Sequence, residues 1–127
     1  MKSGLYIVRL LNNNPMPVTR DPRYVDACAR VSSDNIKVGK AKHFDSRQKN
    51  YWKDFDKKNV VFEPPVKLDD INTAERAVLQ KLKKYRKLSP KGGKLEWLEG
   101  ITYENAKKAV FEALDESKIS FVPIDEV

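Results

Sequence analysis

The chain carries one cysteine, Cys28, and one histidine, His43, among its 127 residues. A lone thiol excludes an internal disulfide and any zinc site built on several cysteines. A lone imidazole offers no histidine cluster for a metal, so His43 reads as a loop residue. No apolar run approaches the roughly 18 residues that a membrane-spanning helix needs. Arg9 breaks the opening stretch Leu5-Tyr6-Ile7-Val8 at once, which is not the pattern of a secretory signal. These absences set the expectation of a cytoplasmic protein with no membrane role. Internal repeats, low-complexity tracts and an interdomain linker are missing too, so one compact domain, 1–127, is expected at this length.

Positive charge is what the chain has in excess. Lys and Arg number 25 against 18 Asp and Glu, a formal charge of +7, and the pI is about 9.5. Such an excess attracts polyanions, of which nucleic acid is the commonest. A basic protein-interaction domain would show the same totals. Charge sets the field and leaves the chemistry open.

Hydrophobic periodicity supplies the elements. Gly4 to Leu11 alternates as a strand and stops at Asn12-Asn13-Asn14-Pro15. Asp21-Pro22 has the form of an N-cap with proline at the first helical position, which predicts a short helix to about Arg30. Asn35 to Lys40 reads as a second strand. Asp45, with Gln48 three residues on, predicts a helix through Phe55. A third strand is expected from Asn59 to Glu63, ended by Pro64-Pro65. From Asn72 a strong amphipathic helix carries Ala74, Val78, Leu82, Tyr85 and Leu88, and Ser89-Pro90-Lys91-Gly92-Gly93 stops it. Thr102 caps a last helix through Leu114, and a terminal strand is expected over Ile119 to Val122. The predicted fold is an α/β (α+β) layer domain: a small, mainly antiparallel three-stranded sheet flanked by helices.

The chemistry concentrates in Lys37-Val38-Gly39-Lys40-Ala41-Lys42-His43-Phe44-Asp45-Ser46-Arg47 and runs on to Tyr51. Gly39 would let a phosphate or backbone approach closely. Lys40 and Lys42 follow, and Arg47 lies in the first turn of a helix whose free N–H groups favour anions. Together they suit a phosphodiester, although a Lys-rich loop is often only a solvated face. Tyr6 alone reads as a ring packed on the sheet, and Tyr51 and Trp52 serve a core as readily as a stacked base. Arg47 could pair with Asp45 or Asp54. Glu75 stands three residues after Asn72, the spacing of a capping-box partner.

These residues, in this order, resemble the GIY-YIG nuclease motif, particularly its form in bacterial excision-repair incision nucleases. Gly4-Leu5-Tyr6 is similar to the first triplet, and Gly39, Lys40, Arg47 and Tyr51 fall at the family spacing. Thr73-Ala74-Glu75-Arg76-Ala77 resembles the start of the long helix that carries the family's metal-binding glutamate. Glu96-Trp97-Leu98 is similar to the Glu-Trp-Phe ending of small phage-type members. Two features depart from the pattern. Lys37 stands at the second tyrosine, as it does in some restriction-type members, and the gap between Tyr6 and Lys37 is long, so residues 12–34 read as an insertion.

The resemblance implies a metal-dependent DNA endonuclease that hydrolyses phosphodiester bonds, with no small-molecule cofactor beyond Mg²⁺ or Mn²⁺. Glu75 would hold the metal, a hard cation that keeps waters, and Arg47 would stabilise charge on the phosphoryl oxygens. Tyr6 would be the base or orient the attacking water. Lys37 beside it is expected to lower the phenol pKa, and Lys40, Lys42 and Tyr51 would contact the nucleic acid. The changed triplet at Lys37 equally fits a nucleic-acid-binding module that keeps the fold without catalysis.

Overall fold

A computed structural model describes residues 2–124. Met1 and residues 125–127 of the expected 1–127 domain lie outside the described residues. Strand β1 (Gly4–Leu10) sits near the middle of the main sheet because both of its faces are apolar. Alternation sends Leu5 and Ile7 to one side and Tyr6, Val8 and Leu10 to the other, and all five are buried. On one flank β1 pairs antiparallel with β4 (Asn35–Ala41), on the other with β5 (Val60–Lys67).

Three further strands extend this core. β6 (Arg86–Leu88) and β7 (Lys94–Glu99) form a hairpin added beyond β4, and β8 (Val122–Pro123) adds beyond β5. The order is β6-β7-β4-β1-β5-β8, all antiparallel. The main sheet therefore has six strands where the sequence predicted three. Helix α1 (Phe44–Phe55) covers one face, packing Phe44, Tyr51 and Phe55 with Tyr6, Val8, Leu10 and Trp97. Helices α2 (Ile71–Lys81) and α3 (Tyr103–Glu116) cover the other, closing over Leu5, Ile7, Ile36, Val38 and Leu98. The mixed α+β layering expected from the sequence is present, with a larger sheet.

One of the added strands, β6, lies where helical periodicity predicts a continuation of α2. Tyr85 and Leu88 continue the helical spacing of α2, yet the helix ends at Lys81 and a 3₁₀ turn, Lys83–Tyr85, redirects the chain. Ser89 and Gly93 then close a hairpin: the Ser89 N–H donates to the Gly93 carbonyl at 2.7 Å, and the Gly93 N–H donates to Ser89 Oγ at 3.1 Å. Cross-strand pairing, Arg86 with Leu98 and Leu88 with Lys94, overrides helical periodicity there.

Pro64-Pro65 likewise does not end β5. Ile7 pairs with Glu63 and Leu5 with Val66, so the two prolines lie opposite the single residue Tyr6 in a bulge. A bulge leaves residues out of the ladder, which removes the cost of prolines that cannot donate.

Between β1 and β4 the chain makes an excursion. β2 (Met16–Pro17) pairs with β3 (Arg30–Val31), and Val31 plugs into the core on the α1 side. The helix expected from Asp21 is absent; successive turns replace it. Asp21 spends its carboxylate locally, accepting from the backbone and guanidinium of Arg23. Of the predicted caps, Thr102 does accept from the Asn105 N–H at 3.1 Å. Asp45 does not cap α1, which starts at Phe44 after His43. Asp70, not Asn72, caps α2, taking the Thr73 N–H at 3.3 Å.

Candidate active site

The site forms where β4 outruns β7. Pairing between these strands covers Asn35 with Glu99, Ile36 with Leu98 and Lys37 with Trp97, and then stops. Beyond Lys37 the β6–β7 hairpin leaves β4, and a cleft of about 440 Å³ opens, lined among others by Lys37, Arg47, Tyr51, Arg86, Lys94 and Glu96. Side chains from both faces of the sheet reach this free edge of β4. Lys37 points to the α1 side with Gly39, and Lys40 to the α2 side with Ile36 and Val38.

On the α1 side the centre is a pair of tyrosines. Tyr6 on β1 lies opposite Gly39 on β4, and its hydroxyl is 2.7 Å from that of Tyr51 on α1. A Cβ built at Gly39 would fall 2.3 Å from the Tyr6 hydroxyl oxygen, so the ring occupies the space the glycine leaves. Gly39 is thus a mid-strand residue that seats Tyr6, not a turn residue opened to a phosphate. Phe62 stacks on the Tyr6 ring with centroids 4.8 Å apart.

Burial pushes the Tyr6 phenol up to about 12; Arg47 and the Tyr51 hydrogen bond pull the other way, and Glu96 and Glu75 add to the rise. Tyr51 is raised as well, again chiefly by burial. This corrects the expectation that Lys37 would depress the Tyr6 pKa: the desolvation of a ring 2% exposed outweighs the cations nearby.

Lys37 stands two pairs further along, across from Val8. Its ammonium is 3.6 Å from the Glu96 carboxylate and lies over the Tyr51 ring, 5.5 Å from its centroid. Burial pulls the Lys37 ammonium below its usual range, Glu96 opposes this, and Arg47 adds to it. Arg47, exposed in the first turns of α1, has no ion-pair partner among the described residues, so neither Asp45 nor Asp54 neutralises it.

On the α2 side, Glu75 falls on the buried stripe Ile71, Ala74, Glu75, Val78. A carboxylate placed among apolar stripe positions is costly unless it has a task or a partner. Lys40 supplies a partner, its Nζ 3.4 Å from Glu75 Oε1. Even so, burial first and Glu96 second push the Glu75 carboxyl up, against Lys40 and Lys37. Because Asp70 caps the helix, the capping-box reading of Glu75 is overturned.

Tyr6, Lys37, Arg47, Glu75 and Lys40 are brought together around the β4 edge. Lys42 is exposed and lines, with Lys40 and Arg47, a smaller pocket at the head of α1 that adjoins the cleft at Arg47. Tyr51 departs from its expected role. It is 7% exposed, and its ring is locked in the aromatic cluster with Tyr6, Phe55 and Phe62. It therefore offers its hydroxyl to Tyr6 and no face on which a base could stack.

Sequence reasoning passed over two residues. The sequence places Glu96 only in a Glu-Trp-Leu ending, although strand alternation with buried Trp97 sends it to the opposite face. Arg86 was hidden inside a helix that does not reach it.

Residues 23–114 match the family model described as the T5orf172 domain. The match spans β4, α1, α2, the β6–β7 hairpin and most of α3, and begins after β1 and Tyr6. No curated protein and no solved structure matches the chain. A family model that covers well over half of the sequence, including the segments that build both walls of the cleft, assigns the family: the chain belongs to the T5orf172 domain family.

Proposed function

We propose that the protein is a metal-dependent DNA endonuclease of GIY-YIG type, acting at the free edge of β4. The observation that carries this reading is convergence. Tyr6, Lys37, Arg47 and Glu75 come from four separate elements, each at a position that the motif resemblance picks out. Lys37 and Arg47 line the cleft, Glu75 lines an adjoining pocket that shares Arg86 with it, and Tyr6 lies behind, its hydroxyl on that of Tyr51 in the cleft wall. Electrostatics agree, because the cleft walls carry more cations than carboxylates and so favour a phosphodiester.

The chain's own residues fit a hard divalent cation. Among the described residues no three His, Cys, Asp or Glu side chains group into a protein cage. Mg²⁺ needs none, since it is commonly held by one or two carboxylates with waters and substrate phosphates. Glu75, raised by burial and by the nearby Glu96, is a carboxylate that a cation would relieve. Glu75 would hold the ion, with Glu96 near enough to add its charge. The bound ion would supply Lewis-acid stabilisation of charge on the phosphoryl oxygens.

The remaining work falls to side chains. Arg47, free of carboxylate partners, places its guanidinium fork on the phosphoryl oxygens. Tyr6 is a neutral phenol at physiological pH, so it orients the attacking water through its oxygen, fixed by Tyr51 and by its seat over Gly39. Lys37, an ammonium 3.6 Å from Glu96, adds positive charge at the cleft wall beside the phosphate. Lys40 and Lys42 hold the backbone.

The second reading, a nucleic-acid-binding module without catalysis, draws on the same raised phenol and on the Lys40–Glu75 ion pair, which occupies the carboxylate. A plasmid-nicking assay with and without Mg²⁺, run beside a binding titration, separates the two. Mg²⁺-dependent nicking is expected. Binding without nicking in either Mg²⁺ or Mn²⁺ would leave the second reading standing.

A further inference from the structure

The wall of the cleft opposite Arg47 belongs to the β6–β7 hairpin. Its charges are unbalanced in a selective way. On β6, Lys87 is neutralised by Glu99 at 2.9 Å, whereas its neighbour Arg86 has no carboxylate within ion-pair distance among the described residues. Arg86 is held in place by backbone instead: its Nε donates to the Leu95 carbonyl at 2.7 Å and its Nη2 to the Lys94 carbonyl at 3.1 Å. That fixed guanidinium lines both the cleft at Lys37 and the adjoining pocket at Lys40 and Glu75.

Lys94 lines the same cleft. Lys83 stands in the 3₁₀ turn that leads directly into β6 and Arg86, and its ammonium, with Arg86, adds to the effect of burial in pulling Lys94 below its usual range. The nearby carboxylates do not relieve them: Glu96 faces Lys37, Glu75 faces Lys40, and Asp54 on the α1 wall lies within ion-pair distance of none of the three among the described residues.

We propose that Lys83, Arg86 and Lys94 form a second phosphate-binding wall, which holds the backbone of duplex DNA across the cleft from Arg47 and Lys42. Gathered cations without counter-charges destabilise a free protein by self-repulsion, and a polyanion laid against them removes that cost while releasing its own counterions. The pinned fork of Arg86 gives the wall a fixed geometry, and Lys83 and Lys94 act as mobile point charges beside it. The proposal rests on the DNA-directed reading above.

The test compares the full chain with Lys83→Gln/Lys94→Gln and with a control, Lys108→Gln/Lys118→Gln, which removes the same charge from α3 and its end. Binding to a short DNA duplex is titrated across a range of salt. Each lost phosphate contact flattens the log–log slope by about 0.9, so the hairpin variant should be shallower than the parent by roughly one to two units, and the control should not. Nicking by the control should match the parent, because Lys108 lies on α3 and Lys118 just beyond its end, outside the cleft. Equal slopes for parent and hairpin variant, or an equal loss in the control, overturn the wall alone. A parent chain that fails to bind duplex DNA at low salt overturns the wall and the nuclease reading together.

Discussion

Glu75 shows how one residue can be settled by its surroundings. Its carboxyl is held above its usual value, so the folded chain keeps that proton more tightly than the unfolded chain does. Stability then falls as pH rises from the ordinary glutamate value through the raised one, and at neutral pH the ionised carboxylate is a net cost. Glutamine removes the charge and keeps the shape. Glu75→Gln is therefore expected to melt no lower than the parent at pH 7, despite losing the Lys40 ion pair, and to lose Mg²⁺-dependent nicking, because a neutral amide binds a hard cation poorly. A variant that nicks DNA like the parent would remove Glu75 from the site. Glu96→Gln would tell whether the second carboxylate shares the ion: a shifted Mg²⁺ requirement says that it does, and an unchanged requirement leaves Glu96 as the partner of Lys37.

At the scale of elements, the site depends on how β1 and β4 fit together. Tyr6 stays inward because Gly39 opposite it has no side chain, and the bulge at Pro64-Pro65 lies on its other flank. Gly39→Ala would put a methyl group onto the Tyr6 ring, with contacts of 2.3–2.4 Å that neither strand can absorb without moving. A cost of about 1–3 kcal/mol is expected for overpacking of this kind. Chemical denaturation would measure it, and nicking should fall further than stability alone explains because Tyr6 is displaced. Restoring the space with Gly39→Ala/Tyr6→Phe should recover little stability, since the ring carbon lies almost as close as the hydroxyl. Recovery to the parent's stability would show that the hydroxyl alone made the contact.

The molecule as a whole is held by two cores, one on each face of the sheet, and the tyrosine pair is part of the α1-side core. This gives a pH signature at the alkaline end. Unfolded tyrosine ionises near pH 10, whereas folded Tyr6 resists to about 12 and Tyr51 is raised in the same direction. Between those values the folded state holds protons that the unfolded state has lost, so stability should decline as pH rises above 10. Ultraviolet difference titration is expected to show early ionisation among the five tyrosines followed by a late step that coincides with unfolding. A single smooth titration near pH 10 with the fold intact would contradict the burial of this pair.

The sequence by itself determined those elements whose pattern is local, and it pointed to the residues proposed for the site. Alternation in Leu5 to Leu10 and Asn35 to Ala41 made strands, Thr102 capped α3, and the apolar stripe made α2, because these depend on neighbours within a few residues. Motif order was enough to point to Tyr6, Lys37, Lys40, Arg47 and Glu75. Only the tertiary structure decided the rest. Arg86 to Leu88 became a strand because β7 was there to pair with it, Pro64-Pro65 were carried through β5 by a bulge that β1 defines, and Tyr51 was taken into the aromatic core. Glu96 and Arg86 joined the cleft because β7 parts from β4 after the third of three pairings, Lys37 with Trp97. Where two strands separate, and how deeply a phenol is desolvated between them, depends on residues distant in the chain. That is why the charges of this site were legible from sequence while their pKa values and their far wall were not.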